Sequence, residues 1–260
     1  MMKYTYFCKK GGVGKTTVTG EHANYLASKG KKVLIVSIDD QNSIFEMFGK
    51  FSDVFAKENN YFENLILGEC TLEDALTPLR DNLFAIKTLN TDMLSKKLTL
   101  ERVFEKAFLN TLEQFSKFDY VFFDLPPSSN RTTELLLDYV DSIILIVELN
   151  KLGVNGFYNT LQYFVDSGIE LEKIKYILPN GFSKHRAVPQ VALEELDALI
   201  KENTPDAIVL PSMDEKSCIQ AVQQKGISVF DKKAGNISSY MRGQKKLVSE
   251  KLTTIFRKIK

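Results

Sequence analysis

The run Lys10-Gly11-Gly12-Val13-Gly14-Lys15-Thr16-Thr17 packs three glycines, two lysines and two hydroxyls into eight residues. Glycines let the backbone turn tightly and aim several N–H groups at one anion. A strand-like run, Tyr4–Cys8, precedes the turn and a helical stretch, 16–28, follows it. The helix start then adds its partial positive charge to the same point. The chemistry this predicts is polyphosphate binding. Lys15 reaches the β- and γ-phosphates, the Thr16 hydroxyl is a magnesium ligand, and Thr17 touches the α-phosphate.

Two carboxylates stand at the ends of apolar runs, where parallel α/β sheets hold their ligands. Asp39 follows Val33-Leu34-Ile35-Val36-Ser37-Ile38, with Asp40 adjacent as a rival. Asp124 closes Tyr120-Val121-Phe122-Phe123 and precedes Leu125-Pro126-Pro127-Ser128. A buried strand ending in aspartate downstream of a phosphate loop is a Walker B pattern, and Asp124 is expected to hold magnesium with Thr16.

The elements that must position these residues alternate. Strands are expected at 4–8, 32–38, 120–124, 142–148, 174–178 and 207–210, and helices at 16–28, 100–115, 191–201 and 240–259. Short apolar runs rich in β-branched and aromatic residues, separated by helices, indicate βαβ units. The expected fold is α/β: one mostly parallel, twisted sheet with helices on both faces, a single domain over 1–260.

The loop departs from the common form. The position five before Gly14 is Lys9 rather than glycine, and Lys10 stands directly before the Gly-Gly pair. In this deviant Walker A loop the sequence resembles the ParA/MinD family of P-loop ATPases, most of all ParA-type partition ATPases. The resemblance implies that Lys10 crosses a dimer interface to the partner's nucleotide, with Lys9 as a less well placed rival. It also implies that Asp39 orients or activates the attacking water. The family usually reads Asp-x-Asp-Pro-Gln where this chain has Ser37-Ile38-Asp39-Asp40-Gln41. Pro126-Pro127-Ser128 matches the switch that answers the γ-phosphate. The segment 82–86 is similar to the strand before the family's long central helix. By the same resemblance Asn180 contacts adenine, Pro211 packs on the base, and Ala221, Gly226 and Val229 fit a late family pattern. ATP and Mg2+ are the implied cofactors. With only a short stretch before the loop, no N-terminal helix-turn-helix domain is expected.

Composition is that of a globular chain, 44% hydrophobic and 26% charged. It excludes disordered, collagen-like and disulfide-rich classes. No apolar run reaches membrane-span length, and the N-terminus lacks a secretory signal, so a cytoplasmic, nucleoid-associated protein is expected. The three separated cysteines disfavour the iron-protein and cluster-scaffold relatives, and the single phosphate loop disfavours the anion pumps. His22 is read as packing and Cys8 as buried and inert, while His185 sits where it could help bind an anion.

The net charge is +1, yet seven basic residues face Glu250 alone between Arg242 and Lys260. A basic end on a net acidic body suggests a polyanion partner. Arg186, Lys232, Lys233, Arg242, Lys245 and Lys246 are the candidate contacts to DNA phosphates. The function expected is an ATP-dependent partition ATPase. It forms a homodimer on ATP, binds DNA nonspecifically and is released by a ParB-like centromere-binding partner. The alternative is a MinD-type membrane-cycling ATPase whose segment 252–260 anchors it. Against that, Leu247, Leu252, Ile255 and Phe256 are expected to pack on the sheet as a closing helix.

Overall fold

The computed structural model describes residues 1–52, 60–182, 188–214, 217–232 and 237–260. Arg186, Lys233 and His185 lie outside the described residues. The strands are β1 (Met2–Phe7), β2 (Val33–Ser37), β3 (Thr77–Arg80), β4 (Leu83–Ile86), β5 (Tyr120–Asp124), β6 (Ser142–Glu148), β7 (Ile174–Phe182), β8 (Ile208–Val209) and β9 (Met213–Asp214). They form one sheet in the order β3-β4-β2-β5-β1-β6-β7-β8, with β9 also on β7. Every pairing is parallel except β3 with β4.

Strand alternation divides the core into two layers, because successive side chains of a strand face opposite ways. Val33, Ile35, Phe122, Ile144 and Ile146 face the layer closed by the helices Lys15–Ser28 and Ser239–Phe256. Leu34, Val36, Val121, Phe123, Leu145 and Val147 face the layer closed by the helices Thr91–Leu100, Arg102–Glu113, Arg131–Tyr139 and Lys151–Asp166. Both layers are apolar, which is why the central strands read as continuous hydrophobic runs. β1 lies between β5 and β6, where the chain order reverses. Parallel strands send all their C-terminal ends to one edge, so the loops after β1, β2, β5, β6 and β7 converge there.

Several expectations need correction. The helix expected over 100–115 forms as Arg102–Glu113, and a further helix that was not expected, Thr91–Leu100, precedes it across Glu101 in an extended conformation. The start of this earlier helix is set by Asn90, whose side chain accepts the Met93 N–H at 2.8 Å. The polar Thr91, Asp92, Ser95, Lys96 and Lys97 hide the apolar period there. The strand expected over 207–210 shortens to β8, an edge strand with exposed side chains. β3 was not expected, since its Pro78 marks an edge position rather than a central strand.

The terminal helix packs through Val248, Leu252, Ile255 and Phe256, but Leu247 is 59% exposed. The buried set follows the i, i+4, i+7, i+8 spacing, and Leu247 falls one residue off that stripe. His22 is packed as expected. Its ring stacks on Phe256 at 4.4 Å and its Nδ1 meets the Tyr6 hydroxyl at 2.8 Å. Burial pushes its pKa down to about 3, so it is neutral. Cys8 is buried.

Candidate active site

The loop between β1 and the helix Lys15–Ser28 is shaped by its glycines. Gly12 and Gly14 have φ of 74° and 94°, a region that residues with a Cβ enter at a cost. Gly14 is the N-cap, and no side chain bonds the helix start. The helices Thr91–Leu100, Arg131–Tyr139 and Lys151–Asp166 are instead capped by Asn90, Asn130 and Asn150. The first N–H groups of the loop helix are thereby left for an anion.

Lys15 is 7% exposed, and its Nζ donates to the Lys10 carbonyl at 3.2 Å. Burial lowers its pKa, and Cys8, Asp124 and Asp39 oppose that shift. Thr16 Oγ1 donates to Asp124 Oδ1 at 3.1 Å, joining residues 108 apart in sequence. Asp124 is buried at the end of β5, with its pKa raised to about 7 by desolvation. The Thr16 hydrogen bond and Lys15 oppose that rise, whereas Asp39 adds to it. A buried carboxylate beside a hydroxyl, both hard oxygen donors, suits Mg2+ completed by water and phosphate oxygens. Among the described residues no group of three His, Cys, Asp or Glu could hold a metal ion.

The two lysines before the glycines part company. Lys10 Nζ pairs with Glu148 at the end of β6, and this partner holds the Glu148 carboxyl below its usual range. Lys9 donates its side chain to Ser129 and lies 4.4 Å over the Tyr163 ring. Asn180, at the end of β7, donates its amide to the Val13 carbonyl at 2.8 Å and so braces the loop. Pro211 follows Leu210, whose N–H bonds the Ile177 carbonyl at 2.8 Å.

Asp39 is half-buried after β2, and its Oδ1 accepts the Gln41 N–H at 3.1 Å. Asp40 is exposed. The structure thus brings Lys10, Gly11, Gly12, Val13, Gly14, Lys15, Thr16, Thr17, Asp39, Asp124 and Asn180 to one edge of the sheet. Sequence reasoning missed Glu148, Ser129 and Asn42. The one available signal for Glu148 was its place at a strand end.

Of the DNA candidates, Lys245 is a correction. It is 7% exposed, and its Nζ donates to the Asp231 carbonyl at 2.5 Å. Its place on the buried stripe turns it inward. Lys232, Arg242 and Lys246 are exposed.

A glycine turn between strand and uncapped helix, a buried lysine inside it and a strand-end aspartate beneath it define a P-loop NTPase fold. The family profile described as AAA domain matches residues 3–173, and the chain belongs to that family, within its ParA/MinD-type ATPases. It is 24% identical to the chromosome partitioning protein ParA of Myxococcus xanthus, over 90% of this chain and 83% of that one. In fold it is similar to an ATP complex of an McdA variant from Cyanothece, with a TM-score of 0.77 at 20% identity, covering 100% and 97% of the chains. A plasmid partition protein from Borrelia burgdorferi gives a TM-score of 0.68 at 20% identity, covering 99% and 98%. The chain spans 56% of the length of an uncharacterised Pseudomonas putida relative, at 28% identity over 57% of this chain.

Proposed function

We propose that this chain is an ATP-hydrolysing partition ATPase that works as an ATP-dependent homodimer. In the ATP state it binds DNA without sequence preference, on the nucleoid in the cytoplasm. A ParB-like partner stimulates hydrolysis and releases it. The observation that carries the reading is the separation of two lysines in one loop. Lys15 is buried inside the turn, whereas Lys10 leaves it and meets Glu148 at the end of β6. A lysine side chain that does not line its own phosphate loop supports a role at a second nucleotide.

In this reading the backbone of residues 11–17 and Lys15 hold the phosphates. Thr16 and Asp124 hold Mg2+, which neutralises charge on the β- and γ-phosphate oxygens when bound. Asp39 orients the attacking water. Lys10 of each subunit stabilises the charge developing on its partner's γ-phosphate. Asn180 and Pro211 face the adenine.

The membrane-cycling alternative needs the terminal helix to leave the core. Its Leu252, Ile255 and Phe256 are buried against the first layer, which disfavours that reading. Binding to random-sequence duplex DNA in ATP and in ADP, at several salt concentrations, tests the proposal. Binding should require ATP, and its log–log salt slope should shrink by about 0.9 for each phosphate contact removed. Reversing Arg242 and Lys246 to Glu should weaken it on all sequences while ATP binding stays. If the ATP state ignores DNA at low salt and binds anionic vesicles, the partition reading fails.

A further inference from the structure

We propose that Asn42 is a positioning residue for hydrolysis. Its carboxamide clamps the loop carrying Asp39 onto the loop after β4 and so sets where the Asp39 carboxylate reaches. This rests on the reading of Asp39 as the residue that orients water.

Asp39 sits on a short loop between β2 and the helix Ser43–Met47. Its first residue still bonds β5, the Ile38 N–H donating to the Asp124 carbonyl at 2.9 Å, but no strand pairs with it on the β4 side. β2 and β4 pair in register from Val33 with Leu83 to Val36 with Ile86, and the pairing ends there. Asn42 takes over from the missing partner. Its Nδ2 donates to the Thr88 carbonyl at 2.9 Å, and its Oδ1 accepts the Thr88 N–H at 3.3 Å. One side chain thus satisfies both main-chain groups of Thr88, as a neighbouring strand does. The same Nδ2 donates to the Asp40 carbonyl at 2.9 Å, so the residue after Asp39 is tied in.

The backbone of Asn42 completes the turn. Its φ of 49° and ψ of 34° are left-handed, a conformation asparagine enters more readily than most residues with a Cβ. Its N–H donates to the Asp39 carbonyl at 2.9 Å. The platform below is itself fixed. Glu63 accepts the Leu89 and Asn90 N–H groups at 3.1 and 2.9 Å, and Thr91 Oγ1 donates to the Ile38 carbonyl at 2.5 Å. Bonds therefore run from Ile38 to Thr91 on one side of Asp39 and from Asn42 to Thr88 on the other, both onto the segment that leads into the helix Thr91–Leu100. Asn42 is 5% exposed, and both atoms of its amide are engaged with backbone. It acts through Asp39 rather than on the nucleotide.

A displacement of about 1 Å at a reacting group can lower a rate by about 10²-fold. Asn42→Gly keeps the left-handed backbone and removes the clamp, and Asn42→Asp keeps the shape but loses both donors. Turnover at saturating ATP should fall by about 10- to 100-fold in both, with the dissociation constant of a fluorescent ATP analogue unchanged. Adding Asn42→Gly to Asp39→Ala should not lower the residual rate further. Wild-type turnover in Asn42→Gly, a matching loss of nucleotide affinity, or an additive double variant overturns the proposal. Where the glycine variant does not fold, the aspartate variant carries the same comparisons. Full activity in Asp39→Ala alone is a different result: it removes the role given to Asp39, whatever Asn42 does.

Discussion

Three lysines leave one turn in three directions. Lys9 goes to Ser129, Lys10 to Glu148, and Lys15 into the loop itself. Identical side chains thus acquire different chemistry from position alone, because the loop backbone fixes where each stem starts. Lys10→Ala should leave ATP affinity within about twofold of wild type and abolish ATP-dependent dimerisation and partner-stimulated turnover. Nucleotide titration and light scattering check the two halves separately. Lys15→Ala should lose ATP binding itself, and unchanged affinity there would remove the phosphate-loop assignment. The gathering of the loop residues with Asp39 and Asp124 was legible because they stand inside one motif or at strand ends. Glu148 and Asn42 were not, since Lys10 and Glu148 lie 138 residues apart and Asn42 and Thr88 46 apart. No local period encodes such pairs.

The strands were more legible than the helices around them. Central strands carry unbroken apolar runs, whereas the helix Thr91–Leu100 buries only one side and opens on polar residues. A polar cluster that the sequence did not announce ties the loop helix to the segment before the terminal helix. Glu21 accepts from Ser228 Oγ at 2.6 Å and from the Val229 N–H at 3.1 Å. Asn24 donates to Ser228 and Asp231, and Arg80 forks onto Asp231. Desolvation pushes the Glu21 pKa up to about 7, against the hydrogen bonds from Ser228, Gln223 and Val229, while Asp231 adds to the rise. The folded state thus holds a proton that the unfolded chain, with a carboxyl near 4.5, releases. This contribution to stability is full below pH ~4.5 and is lost as pH rises through about 7, roughly 3 kcal/mol in all. Urea unfolding at pH 5 and pH 8 should show wild type losing more stability over that interval than Glu21→Gln. Equal losses would mean that Glu21 titrates normally.

At the scale of the whole molecule, the groups proposed to hold the nucleotide gather at the edge where the parallel strands end. The terminal helix closes the layer on the P-loop helix's side of the sheet. Its buried stripe includes Lys245, so the basic count of that segment overstates the charge available to a polyanion. Among the described residues no helix is long and apolar enough to cross a membrane. At that edge Lys10 is partly buried and paired with Glu148, and the proposed homodimer has it serve the partner's nucleotide instead. The most direct test is light scattering of Asp39→Ala with saturating ATP and Mg2+, compared with ADP. The chain mass is 29.5 kDa. The expected result is twice that mass in ATP and the single-chain mass in ADP, with the dimer lost when Lys10→Ala is added. A single-chain mass in ATP, with nucleotide shown to be bound, would contradict the account.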